Sequence, residues 1–201
     1  GSMIHVEPQQ EPKTFDAQVR QPGQACVEQS QKATEECWQR CHSDLYKAYH
    51  GYCAYLAVKI PRAPKSTGAV GYSTVEHFLP KGRYPHLAYE WKNYRLGCAD
   101  VNNIKANKVG ILDPFFIEDN WFYLDDISDE GKLYPNPALS ERLRKAIDAT
   151  IKKLGLNRKK FCDLRKYLLE QDPETLAEES PFLYNEAQRL GLMNTDSSTT
   201  A

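Results

Sequence analysis

Apolar residues recur at three- and four-residue steps at Cys37, Trp38, Cys41, Leu45, Tyr46 and Tyr49, and this spacing predicts one N-terminal helix over 25–50. The pattern then changes period. "GYCAYLAVKIP" reads as a short β-like run opened by Gly51 and closed by Pro61, "RAPKSTGAVG" as a loop, and "YSTVEHFLP" as a strand ending at Pro80. "KGRYPHLAYEW" is loop by composition, "NYRLGC" a second short strand, and "ADVNNIKANK" a helix of a turn or two. "NWFYLDDISDEGKLYPNP" predicts a hairpin with its turn around Ser128 to Gly131. "ALSERLRKAIDATIKKLGL" carries an apolar stripe at Leu139, Leu143, Ile147, Ile151 and Leu154 and stops at Gly155, which predicts an amphipathic helix. "NRKKFCDLRKYLLEQ" and "PETLAEESPFLYNEAQRLGL" predict further helices, the latter broken at Pro181.

At either end the periodicity fades. Residues 1–24 are rich in Pro and Gln and predict an extended arm laid over the domain; Gly1 and Ser2 ahead of Met3 read as a tag scar outside the fold. Residues 193–201 predict a disordered tail. The expected class is α+β: a core over 51–116 preceded by a helix and followed, over 117–192, by a hairpin and a helical part that packs on the core or docks a partner. There are no internal repeats.

Composition narrows the class. Hydrophobic residues make up 41% of the 201 and charged ones 26%, as in globular proteins, and no apolar run approaches a membrane span. With no signal segment at the N-terminus, the expectation is a cytoplasmic protein without a membrane partner. Six cysteines are too sparse for a disulfide-stapled domain, so reduced thiols are expected. Cys37 and Cys41 lie four apart and could join His42 in a metal site; packed core cysteines are the preferred reading. The net charge of −1 excludes an all-over basic coat, yet from Ser140 to Lys166 basic residues outnumber acidic ones ten to three. That block suits a phosphate backbone or a solvated helix face.

Chemistry is concentrated between Thr74 and Lys108. Phosphodiester hydrolysis needs a base to deprotonate water and a divalent cation to neutralise charge, which a neutral histidine and hard oxygen ligands supply respectively. Glu76 and His77 are adjacent on a predicted strand, so they point to opposite faces, and a bend near Pro80 is required for both to serve one centre.

Glu76-His77, Asn93 in "EWKN", and Asn102 followed by Lys105 in "CADVNNIK" resemble the HNH nucleases of ββα-metal fold. More narrowly, "VEHFLPK", "YPHLAYEWKNYRLGC", "LDPF" and "ATIKKLGLN" are similar to the HNH component of Septu-type anti-phage systems, which works with an ATPase subunit. The likeness runs from near Ile4 to about Asn157. It implies an HNH core within a mostly helical domain, His77 as general base, Glu76 and Asn102 as ligands of one divalent metal (Mg²⁺, or Mn²⁺), and Asn93 as the residue that holds the loop and aligns His77. Lys105 would touch phosphate or support the helix, and Lys81, Arg83, Lys92 and Arg95 are candidates to grip DNA. Asn103 competes with Asn102, since one residue turns a helix by about 100°. Homo- or hetero-oligomeric assembly stays open. The ends expected of cleavage are 5′-phosphate and 3′-hydroxyl.

One departure stands out. Many HNH domains carry two CxxC pairs holding a structural zinc. Here "CAYL" and "CADV" leave Cys53 and Cys98, with Leu56 and Val101 in the other two places, so no structural zinc is expected, although His50 and His86 could complete a set. Two other readings keep the residues and change the role: a noncatalytic DNA-binding or adaptor subunit, and a redox or zinc-sensing module. Trp91, Trp121, Tyr84 and Tyr89 read as core rather than base-stacking platforms.

Overall fold

Val19, Gly23 and Val27 recur every fourth residue, are buried, and form the inner face of the first helix, α1 (Gln21–Ser30), which continues a π-helical turn at Asp16–Arg20. The computed structural model describes residues 5–60, 70–125 and 130–193, in a mixed α+β arrangement. Its N-terminal third corrects the predicted boundaries. The extended arm reaches only to about residue 13, and helix starts well before residue 25. Pro22 sits in the first turn of α1, where its missing N–H is not needed. Gly23 lies directly beneath the Tyr89 ring, where a Cβ would overlap it.

The single helix over 25–50 is also corrected. Gln31 adopts a left-handed conformation (φ 60°) and its N–H returns to Val27, closing α1; a polar linker follows, then a 3₁₀ turn at Cys37–Cys41 and a short helix α2 (His42–Ala48). The apolar rhythm survives this break because Cys37, Trp38, Cys41 and Leu45 still face one core. The arm is fixed by its backbone: Val6 N–H donates to Pro114 O (2.9 Å), Gln9 N–H to the Tyr49 hydroxyl (2.9 Å), and Gln9 O accepts from Trp91 Nε1 (2.8 Å).

Between α2 and the first strand, the expected β-like run is a tight knuckle. Cys53 N–H bonds Val58 O, Ala57 N–H bonds Cys53 O, and Tyr52 bridges Lys59 antiparallel. Residues 61–69, most of the predicted loop, lie outside the described residues. Strands β1 (Ser73–His77) and β2 (Tyr94–Cys98) pair antiparallel, placing Glu76 opposite Arg95 and His77 opposite Tyr94. Helix α3 (Ala99–Lys105) leaves β2 without a loop. This β-β-α order is the centre of the molecule.

A second hairpin, β3 (Phe122–Leu124) with β4 (Leu133–Pro135), follows; residues 126–129, part of its predicted turn, lie outside the described residues. Helix α4 (Glu141–Leu154) is capped by Ser140, whose side chain accepts from Leu143 N–H, and ends at Gly155 in the left-handed conformation its φ of 62° requires. Helices α5 (Lys159–Leu169), α6 (Pro173–Glu179) and α7 (Pro181–Arg189) complete the chain, with the break before Pro181. Ser180 at that break donates to Ala57 O (2.7 Å), and Lys59 N–H to Glu179 O (2.8 Å), so the C-terminal helices clamp the knuckle. No described helix is long and apolar enough to cross a membrane. The predicted tail from residue 194 lies outside the described residues.

Candidate active site

Alternation along β1 divides the candidate residues between two faces. Ser73 and His77 meet α2 and the 3₁₀ turn, through Ser73–His42 (2.9 Å) and His77–Trp38 (ring centroids 4.7 Å). Thr74 and Glu76 meet α3, through Asn102 and Lys105.

On the first face, His77 stands edge-on to Trp38 and to Tyr94 (5.3 Å). Its Nε2 lies 2.9 Å from the carbonyl of Ala88, a pure acceptor, so Nε2 carries the proton and Nδ1 keeps its lone pair. Among the described residues Nδ1 has no protein partner. Burial pulls the imidazole down to about 4, against the raising effect of the Ala88 bond, and nearby Lys81 and Lys105 push the same way as burial. The ring is neutral at physiological pH.

Asn93 builds the support for that carbonyl. Its Oδ1 accepts from Leu79 N–H (2.9 Å), and its Nδ2 donates to Leu79 O (3.0 Å) and Leu87 O (3.2 Å). Its own carbonyl accepts from Phe78 N–H (2.9 Å). One buried amide therefore ties the chain just after His77 to the chain just before Ala88. Tyr94 adds a second donor to Ala88 O (2.7 Å).

The other face is occupied differently. Lys105 is fully buried, and its ammonium is within hydrogen-bond distance of Glu76 Oε1 (2.8 Å), His77 O (2.9 Å) and Phe78 O (2.8 Å). The Tyr55 hydroxyl donates to the second Glu76 oxygen. Burial raises the Glu76 carboxyl, and Lys105 and Tyr55 oppose it without fully restoring the usual value. Asn102 points to this face, donating to Thr74, while its Oδ1 is buried with no partner; Asn103 is exposed. Gly97 makes room for Asn102: a Cβ there would collide with the amide.

Against a divalent metal these donors fit only in part. The orphaned Asn102 oxygen is a ready hard ligand. Glu76 already accepts from Tyr55 on one oxygen and from the Lys105 ammonium on the other, and among the described residues no three His, Cys, Asp or Glu side chains converge.

The knuckle places Cys53 Sγ 3.7 Å from Cys98 Sγ, with Leu56 and Val101 buried in the core. Two thiols and two hydrocarbon side chains do not form a four-ligand zinc set. His50 and His86 are both exposed.

Of the expected DNA-contacting residues, Lys81, Arg83 and Lys92 are exposed, and Lys81 lies over the Trp38 ring (4.6 Å) beside His77. Arg95, expected to grip DNA, is instead buried and paired with Asp113 (2.6 and 3.0 Å) and against Phe115 (3.5 Å); Lys105 is buried and internally paired, which agrees with its alternative role of supporting the helix. Within the basic block Arg165 is buried, donating to Gly131 O (3.0 Å), and Lys160 pairs with Asp100 on α3 (2.5 Å). Trp91 and Tyr89 are buried, whereas Trp121 and Tyr84 are half-buried. Sequence reasoning missed Tyr55, Trp38 and the Ala88 carbonyl. Tyr55 alone left a trace, as the polar residue inside "CAYL".

No protein-family model matches the chain. Over 101 residues, 44% of this chain, it is 29% identical to the Septu protein PtuB of Bacillus thuringiensis. The matched region spans 37% of that relative's length.

Proposed function

We propose that this chain is an HNH-type endonuclease that hydrolyses DNA phosphodiester bonds in a Septu-like anti-phage defence system, gated by an ATPase subunit. The observation that carries the reading is His77: neutral, fixed in one tautomer by Ala88, braced by Asn93, and without a partner at Nδ1 among the described residues. A general base needs that set of properties. Nδ1 takes a proton from water, and the imidazolium that forms keeps its Nε2–H on the Ala88 carbonyl, so the ring need not turn during the proton transfer. Exposed Lys81 beside it offers a cation to a phosphate backbone, and Arg83 and Lys92 are exposed in the same stretch between the two strands. The similarity to the Septu protein supports the defence role.

The reaction class calls for one divalent cation, Mg²⁺ or Mn²⁺, but Glu76 is engaged by Lys105 and Tyr55. That engagement favours a second reading, a noncatalytic DNA-binding or adaptor subunit. Plasmid incubated with the protein and Mg²⁺ or Mn²⁺, with and without the ATPase subunit, separates the two. Nicking or linearisation that disappears in His77→Ala supports the nuclease; undiminished cleavage by that variant overturns it, and DNA binding without cleavage under all conditions supports the adaptor.

A further inference from the structure

The ammonium of Lys105 has three N–H bonds and three oxygen acceptors at 2.8–2.9 Å: the Glu76 carboxylate and the carbonyls of His77 and Phe78. One carboxylate and two carbonyls are the kind of hard oxygen shell that Mg²⁺ or Mn²⁺ would take. One helical turn before Lys105, Asn102 holds a buried oxygen that no donor reaches. An oxygen-rich face thus already contains a cation, and that cation belongs to the chain.

Immediately after Lys105, Ala106 has φ 47° and ψ −123°, a conformation that glycine adopts freely and alanine does not. The backbone strain sits at the joint that delivers the ammonium into the site. A double positive charge arriving at Glu76 would be repelled by the ammonium at contact distance, which sets the two cations in competition for the carboxylate.

Building on the nuclease reading above, we propose that Lys105 is a built-in counter-ion that closes the Glu76 oxygen site, so that its burial and divalent-cation binding exclude one another. The isolated chain is then a latent form, and an event that withdraws Lys105 releases the Glu76 oxygen on the face where the Asn102 oxygen already stands unpartnered.

The test is a Mn²⁺ titration followed by electron paramagnetic resonance of the free ion. Lys105→Met is expected to bind one Mn²⁺ at least tenfold more tightly than the unmodified chain, and to regain with Mn²⁺ the thermal stability it loses in chelator. Glu76→Gln combined with Lys105→Met removes both charges and is expected to lose that binding. A folded Lys105→Met that binds no tighter, or a double variant that binds as tightly, overturns the proposal.

A measurement without substitutions guards against misfolding. Acylation of lysines by an N-hydroxysuccinimide ester, mapped by peptide mass spectrometry, should leave Lys105 unmodified in chelator and modify it increasingly with Mn²⁺. Protection that persists when the ion is bound overturns the exclusion. Neither readout depends on DNA cleavage, so the nuclease reading can fail while the exclusion stands, and the reverse.

Discussion

His77 Nε2 and the carbonyl oxygen of Ala88 lie 2.9 Å apart, eleven residues distant in sequence, and this bond leaves Nδ1 as the ring's lone-pair nitrogen. Its pH consequence has a definite sign. The folded ring titrates at about 4, below the usual 6.5, because burial disfavours the imidazolium. The unfolded chain therefore binds the proton first as pH falls. Stability is full above about 6.5 and declines between 6.5 and 4, by up to about 3 kcal/mol at roughly 1.4 kcal/mol per unit. Urea midpoints measured across that window should fall with acid, and the fall should shrink in His77→Gln. NMR titration of the ring should show it neutral at pH 6. A midpoint near 6.5 would contradict the buried geometry.

Asn93 is expected to matter through the loop it binds rather than through substrate. Asn93→Ala leaves Leu79 N–H, Leu79 O and Leu87 O without their side-chain partner. A cost of about 2–4 kcal/mol follows from losing bonds to partly buried backbone groups. Denaturant unfolding reads this directly. On the nuclease reading, and because Leu87 precedes Ala88, cleavage should drop at least tenfold, with DNA affinity nearly unchanged. Asn93→Asp keeps the acceptor for Leu79 N–H but turns oxygen toward two carbonyls, so it should not rescue.

Gly97 and Asn102 are coupled by space. The three atoms nearest to a Cβ at Gly97 all belong to the Asn102 amide. Gly97→Ala should therefore destabilise by about 1–3 kcal/mol, the range for overpacking a buried site. Asn102→Ala removes the obstacle, so the double variant should be markedly more stable than the sum of the singles predicts. A coupling energy below about 0.5 kcal/mol in that cycle would show that the alanine is accommodated elsewhere.

The sequence made β1, β2 and α3 legible because each is bounded by a strong signal: Pro80 after the first strand, Asn93 before the second, and a polar helix directly after Cys98. The opposite facing of Glu76 and His77 was also predictable, since alternation on a strand is fixed by geometry. The start of α1 was hidden because Pro22 and Gly23 break helices in general, and only the position in the first turn and the Tyr89 ring above Gly23 make them fit. The engagement of Glu76 was illegible for another reason. Tyr55 and Lys105 lie 21 and 29 residues away along the chain, and their convergence is a product of packing, not of spacing. Exposure was the same problem for Arg95, which alternation and charge alone would leave at the surface.

The Cys53–Cys98 pair offers a sharp test of the knuckle's geometry. Their sulfurs lie 3.7 Å apart, with Leu56 three residues after one and Val101 three after the other, the spacing of paired CxxC ligands. Leu56 and Val101 are both buried in the core. If the backbone still has the geometry of a metal clip, Leu56→Cys combined with Val101→Cys should bind one Zn²⁺ per chain by elemental analysis and raise the melting temperature, reversibly with chelator. The unmodified chain should hold none, since two thiols leave half a tetrahedron empty. Each single variant should be destabilised by about 1–3 kcal/mol, from lost apolar volume, without gaining a closed site. Zinc bound stoichiometrically by the unmodified chain would instead mean that His50 or His86 moves in to complete the set. The double variant failing to bind would mean that the knuckle has drifted from clip geometry.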